Sequence, residues 1–365
     1  MALHMKRIAK YLIGQTLNRT GLWQQLLRRW ARRHEGLILT YHRVLDKWDS
    51  TLDYSQPGMV VTADTLDRQL AFLKEHFDVV PLSFLINSKF EIRNSKLFSR
   101  PLGAITFDDG WRDNYELAFP ILRKHGLPAT IFLTTDFIGT DRVYWHTELL
   151  YLLLHGRLSR LRQDSPNFRT YPSLVRQALR RLARMRAPRQ AQDAEFLIEA
   201  VKELCDEETI ERLIQDIVES SGLSRPLFPG RMFFLDWNQV REMAAAGIEI
   251  GSHGCSHRIM TRLKPEEAKQ ELIQSKAEIE QRIGRQIQHF AFPNGNFDRG
   301  LMTLAWKTGY RTACLCGVGG DERRFGSLAL QRVGMAEGVS RGRDAAFSEA
   351  SLLLWLLRAP RVSTT

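Results

Sequence analysis

Ala104-Ile105-Thr106-Phe107-Asp108-Asp109-Gly110 sets the architecture of this chain and the kind of chemistry it can hold. Four residues that suit a buried strand run into two adjacent carboxylates and then a glycine that permits a tight turn. Neighbouring side chains along a strand point to opposite sides, but where the strand ends they can converge on one cavity. Two carboxylates crowded together repel each other, so a cation or a shared proton must relieve them. Taken alone, an Asp-Asp-Gly step is as a rule only a turn.

The stretches on either side alternate strand and helix. Upstream, Leu37–Tyr41 is an apolar run after Gly36, Thr62–Phe77 places Leu66, Leu70 and Leu73 at helical spacing with Asp64 as a cap, and Val79–Leu82 reads as a short strand. Downstream, Asn114–His125 reads as a helix stopped by Gly126 and Pro128, and Ala129–Leu133 as a strand. Residues 141–230 break the rhythm with amphipathic patterns at Thr147–Leu154, Ser173–Arg186, Gln190–Cys205 and Glu207–Ser220, a helical insertion. The alternation then resumes. Helices are expected at Asp236–Ala246, Pro265–Ile283 and Arg299–Lys307, and strands at Ile248–Ile250, Ile287–Phe292, Arg311–Cys314 and Leu328–Val333. Such alternation implies a parallel sheet with helical crossovers, open or closed into a barrel, and in both the catalytic groups gather where strands end. The expected organisation is a basic segment at 1–35, a β/α domain at 36–340 carrying the insertion, and a helix with tail at 341–365.

Two further strand ends carry polar motifs. Gly251-Ser252-His253-Gly254-Cys255-Ser256-His257 holds two histidines four residues apart, able to aim imidazoles at one point. With a carboxylate from the Asp pair they make three protein ligands, leaving open positions for water and substrate and a second carboxylate free to act as a base. Phe290-Ala291-Phe292-Pro293-Asn294-Gly295 ends in a turn whose backbone N–H groups can face a developing oxyanion.

In this order, Thr106–Gly110, His253 with His257, and Phe292–Gly295 resemble the first three motifs of the polysaccharide deacetylases, carbohydrate esterase family 4, also called the NodB-homology domain. The resemblance covers roughly residues 36–335, the insertion apart. It implies a distorted (β/α) barrel and hydrolysis of N-acetyl, or sometimes O-acetyl, groups on a sugar polymer or lipid-linked glycan. It makes Asp108 the general base, makes Asp109, His253 and His257 the ligands of one divalent ion, and places the Asn294 N–H in an oxyanion hole. Zinc is the default ion for such ligands, and cobalt or nickel fits them too.

The chain also departs from that pattern. Ala291 stands where many members keep an arginine that orients the catalytic Asp, and Asn294 replaces their tyrosine. Leu330-Gln331-Arg332-Val333 stands where many offer the histidine that protonates the leaving group. His42, in Thr40-Tyr41-His42-Arg43-Val44 at the end of the first strand, is the candidate replacement, and the Tyr-His step is similar to a branch acting on exopolysaccharides and surface glycans. Trp111, Trp145 and Pro293 are the residues expected to contact sugar, Trp145 as part of a Tyr144-Trp145-His146 lip. Cys255 is expected to fill its loop rather than react, because no base is evident for it. The rival reading is a catalytically silent carbohydrate-binding or scaffold protein.

Composition excludes some classes. With 44% hydrophobic and 25% charged residues the chain is ordinary for a globular protein, and no stretch approaches the roughly 20 apolar residues of a membrane span. The net charge of +11 comes without a helix-turn-helix, zinc-finger or RNA-binding signature, so no nucleic-acid partner is expected. Residues 1–35 hold eight basic side chains against one acid, Glu35, interleaved with Trp23, Leu26, Leu27 and Trp30. This is a pattern that can lie on an anionic membrane, or pack on its own domain with a solvated basic face. It lacks the continuous apolar core of a secretory signal, and the four cysteines are read as reduced thiols in a cytoplasmic protein, peripheral at the inner membrane if that segment binds lipid.

Overall fold

The computed structural model describes residues 36–49, 54–87, 100–163, 165–185, 190–225, 227–228, 231–316, 329–342 and 346–358. Eight parallel strands define the fold: β1 (Leu37–Tyr41), β2 (Asp78–Val79), β3 (Leu102–Phe107), β4 (Thr130–Leu133), β5 (Glu249–Ser252), β6 (His289–Ala291), β7 (Thr312–Cys316) and β8 (Ala329–Gly334). Seven of them close a ring in the order β1–β3–β4–β5–β6–β7–β8 and back to β1, where Leu39 stands opposite Val333 on one side and Ile105 on the other. This is the distorted (β/α) barrel. The two-residue β2 pairs only with the first two residues of β3 and takes no place in the ring.

Burial explains why these segments are strands. Every residue of β1, β3 and β4 is buried, so their sequences run apolar or β-branched without alternating, as parallel strands covered on both faces do. The core packs Ile38, Ala104, Phe132, Ala291, Cys314 and Leu330, drawn from six strands, with Leu82, Leu85 and Leu102 beside them.

Helix ends follow local chemistry. Thr62, rather than Asp64, caps Ala63–His76 by accepting from Thr65 N–H, Asp236 and Gln239 form a reciprocal cap on Trp237–Ala245, and Asp298 caps Arg299–Lys307. The strand expected at Val79–Leu82 stops at Val79. Pro81 has no N–H for the ladder, and its carbonyl instead accepts from Leu85 at 3.1 Å, within a helix over Leu82–Asn87. Asn114–His125 is helical but opens on a wide turn in which Phe119 N–H reaches back five residues to Asn114 O.

The described residues divide into two compact units, the barrel and a second built from residues 47–60 and 141–233. The second unit contains helices Trp145–His155, Pro166–Thr170, Ser173–Ala183, Ala191–Leu204 and Glu207–Ser221. Leu149, Leu153, Leu179, Leu197, Val201, Leu213 and Ile217 are fully buried within it. Near the C-terminus a helix spans Glu349–Leu356, capped by Ser348. The basic segment 1–35 lies outside the described residues. Among those described, no helix is long and apolar enough to cross a membrane.

Candidate metal centre at the barrel mouth

The centre is assembled where β1, β3, β5, β6 and β8 end. Asp108 still belongs to the ladder, donating its N–H to Tyr41 O at 2.9 Å. Asp109 then turns into left-handed backbone (φ 76°) and Gly110 follows it there (φ 74°). A side chain at Gly110 would be strained by that conformation and would meet Leu133 and Ile138 at 2.9 Å, so glycine is required. The reversal is fastened by Leu235 N–H on Gly110 O and swings the second carboxylate beneath the two histidines.

His253 follows β5 and is tied to β4 by its N–H on Leu133 O. Its Nδ1 lies 2.7 Å from the main-chain oxygen of Ala291. A carbonyl can only accept, so Nδ1 carries the proton and the Nε2 lone pair faces the site. Glu271 clamps the rest of the loop, accepting from Cys255 N–H at 2.6 Å, Ser256 N–H at 3.1 Å and the Ser256 hydroxyl. His257, in left-handed backbone (φ 62°), brings the second imidazole round.

Asp109 Oδ1 lies 3.2 Å from His257 Nε2 and 3.5 Å from His253 Nε2, and the three ligand atoms fall within 4.8 Å of one another. Asp109 is wholly buried. Its Oδ2 accepts from Trp111 Nε1–H at 2.7 Å, while Oδ1 has no hydrogen-bond partner among the described residues. A buried carboxylate oxygen left so is costly, and one carboxylate with two neutral imidazoles is a donor set that suits zinc, cobalt or nickel. The residues fit a divalent ion. Burial alone would raise the Asp109 pKa, but the His257 imidazole, with His42 and His253, holds it well below the carboxylate range. Burial lowers His253 to about 4, keeping it neutral and able to ligate.

Asp108 sits alongside in a different environment. Arg332 of β8 grips it with both arms of the guanidinium, Nη1 to Oδ1 and Nη2 to Oδ2, each at 2.6 Å. Burial acts to raise the Asp108 pKa, but the charge and hydrogen bonds of Arg332, together with His253 and His42, outweigh it, so the group stays ionised. The arginine that the family motif keeps at the third strand end is absent at Ala291, and another strand supplies the charge. Sequence reasoning missed this. A signal was present, since an arginine inside an otherwise apolar strand has to find a buried partner.

His42 Nε2 lies 3.9 Å from Asp108 Oδ2, and its main-chain oxygen accepts from Asn114 Nδ2 of the wide turn. Pro293 is buried in a tight turn and Asn294 is exposed in left-handed backbone (φ 58°). That turn rests on β7, where a Cβ on Gly295 would fall 2.4 Å from Cys316 O. Cys316 Sγ accepts from Arg332 Nη2 at 3.1 Å, so the turn borders the Asp108–Arg332 pair.

The sugar-contacting set needs correction. Trp111 is 1% exposed, stacks on Phe234 with centroids 4.6 Å apart and spends its N–H on Asp109, so it supports the centre and offers no face to a sugar. Pro293 is buried as well. Trp145 opens a helix of the second unit, half-buried with its ring against His146. Cys255 is buried, which pushes its thiol up to about 12 and makes it unreactive.

Comparison with known proteins agrees with this geometry. The sequence profile described as polysaccharide deacetylase matches residues 98–186 and 189–313, more than half of the chain. The chain belongs to the polysaccharide deacetylase family. Its match to the Bacillus subtilis (strain 168) protein YxkH is 23% identical over 67% of this chain and 56% of that protein. A second match, 33% identical over 120 residues, is to the poly-beta-1,6-N-acetyl-D-glucosamine N-deacetylase of Staphylococcus epidermidis and covers 31% of this chain and 40% of that enzyme. The chain thus spans about half the length of the curated relatives it matches. Among solved structures, the Streptococcus pyogenes deacetylase PplD shares the fold of this deacetylase-family chain at TM-score 0.53 and 17% identity, over 88% of this chain and 97% of that one. IcaB from Ammonifex degensii does so at 0.50 and 14%, over 89% and 97%.

Proposed function

We propose that this chain is a metal-dependent hydrolase that removes acetyl groups, foremost the N-acetyl of an amino sugar, from a polysaccharide or lipid-linked glycan. The observation that carries it is the convergence of the buried Asp109 Oδ1 on two imidazole nitrogens, with a second ionised carboxylate beside it. The family supports the acetylated-sugar substrate, and the N-deacetylase named among the relatives supports an amide rather than an ester.

Asp109, His253 and His257 would hold one divalent ion, with zinc the default. When bound, such an ion supplies Lewis acidity, making water a nucleophile near neutral pH and offsetting charge that builds on an acyl oxygen. Asp108 accepts the proton of the attacking water on a carboxylate oxygen, and Arg332 keeps that oxygen ionised and aimed. His42, within reach of Asp108, delivers a proton to the departing amine through Nε2. The Asn294 N–H donates to the developing oxyanion. Arg332 answers the missing arginine and His42 the missing histidine, which favours turnover over a silent binder.

The test is acetate release from N-acetylglucosamine oligomers and from an O-acetylated glycan, with and without chelator. Chelator-sensitive release from the amide substrate is expected. A wild-type protein that binds the oligomers but releases no acetate, with metal supplied, supports the silent binder instead.

A further inference from the structure

Asp109 can ligate an ion only if its carboxylate is held in one orientation, and three buried residues behind it do so. Trp111 Nε1–H donates to Oδ2 at 2.7 Å, which occupies that oxygen and leaves Oδ1 for the imidazoles. The indole is itself fixed, with Phe234 stacked on it at an interplanar angle of 22° and the Arg43 guanidinium 4.6 Å from the ring centroid. Arg43 is anchored in turn by Asp113, Nε to Oδ2 at 3.0 Å and Nη2 to Oδ2 at 2.9 Å. Asp113 Oδ1 accepts from Val44 N–H at 2.9 Å and Asn114 Nδ2 at 3.2 Å. Trp111, Phe234, Arg43, Asp113, Val44 and Asn114 are all buried. Asp109 Oδ1, opposite the Trp111 bond, receives no hydrogen bond among the described residues.

We propose that Trp111 is a positioning residue for the metal ligand Asp109, and that the Asp113–Arg43 pair locks the indole so that Asp109 binds through Oδ1 alone. Holding a carboxylate to a single oxygen keeps coordination positions open for water and substrate, which a catalytic site needs. A phenyl ring at this place could still stack on Phe234 and lie under Arg43, but it could not donate to Oδ2. The indole nitrogen is the one group of Trp111 that reaches the metal ligand.

This inference rests on the metal-centre reading above and can be tested apart from turnover. Full-length wild type and Trp111→Phe would be titrated with cobalt(II), following the visible d–d bands and the dissociation constant together. In Trp111→Phe the freed Oδ2 is expected to join or disturb the coordination, weakening affinity about 10- to 100-fold and changing band intensity, because removing a ligand's outer partner has effects of that order. A variant that is folded by circular dichroism and binds cobalt within threefold of wild type, or whose bands superimpose on the wild-type bands, overturns the inference. Should Trp111→Phe fail to fold, Arg43→Lys, which keeps the charge but loses the fork onto Asp113, takes its place. It is expected to weaken binding at least threefold, and a smaller change overturns the inference. Wild-type protein that takes up no cobalt would instead overturn the metal-centre reading, so the two failures are distinguishable.

Discussion

The barrel has a carboxylate beside a buried histidine at each end, half-buried at one and wholly buried at the other, and the two pairs are finished differently. At the start of the strands, Glu249 accepts from the Ser83 N–H and hydroxyl and from Thr130 Oγ1 at 2.9 Å, while His289 Nδ1 meets Thr312 Oγ1 at 2.8 Å. His289 Nε2 stands 4.0 Å from the Glu249 carboxylate, and no third ligand joins them among the described residues. At the opposite end, Asp109 receives one hydrogen bond, and its other oxygen faces two imidazoles. A polar cluster that satisfies itself is structural. One with an acceptor left over is prepared for something else. Barrels of this kind carry stability at the first end and chemistry at the second.

The most severe break in that contrast is Asp109→Ala, which is expected to abolish both metal uptake and acetate release, read by metal analysis of the purified protein beside the release assay. Asp108→Asn should retain the ion and lower turnover by about 10²- to 10⁴-fold, the usual worth of a general base. Arg332→Met strands the buried Asp108 carboxylate and should cost about 3–5 kcal/mol in denaturant unfolding. It should also move the acid limb of the activity profile upward, since Arg332 is the foremost group holding the Asp108 pKa down.

A pH titration of stability sharpens the comparison. His253, lowered to about 4, is neutral when folded but gains a proton near pH 6.5 when unfolded. Its contribution is full above the unfolded value and is lost as pH falls from about 6.5 toward 4, roughly 3 kcal/mol in the metal-free protein. His289, also lowered by burial, adds with the same sign. Bound metal keeps His253 unprotonated in the folded state, so its part of that slope should persist and extend below pH 4, while the His289 part is unchanged. The mildest change is at the quiet end: Glu249→Ala should destabilise by about 1–3 kcal/mol on thermal unfolding with cobalt affinity unchanged.

Much of this was legible before any coordinates. Asp108, Asp109, His253 and His257 stood out because each follows an apolar run, and in a parallel barrel such runs all end on one side. The helices Pro265–Ile283 and Arg299–Lys307 match their expected bounds because a proline in the first turn or an Asp cap marks where they begin. What escaped depends on register across the ring. Arg332 meets Asp108 only because β8 lies against β1, and β1 against β3, a pairing that joins residues 224 apart. Trp111 was misjudged because exposure is not written in sequence. An aromatic residue beside a catalytic motif suits a sugar wall and a buried support equally well. The helix at Leu82–Asn87 was hidden by an apolar run too short to distinguish helix from strand.

His253 takes its tautomer from the main-chain oxygen of residue 291, not from a side chain. Every amino acid brings that same oxygen, so the residue there can drift without disturbing the imidazole opposite. Selection is then free to discard an arginine at 291, provided that some other strand answers the carboxylate it served. In this chain the answer is Arg332. A search for a guanidinium in contact with the first aspartate, whatever strand it comes from, would gather proteins built the same way.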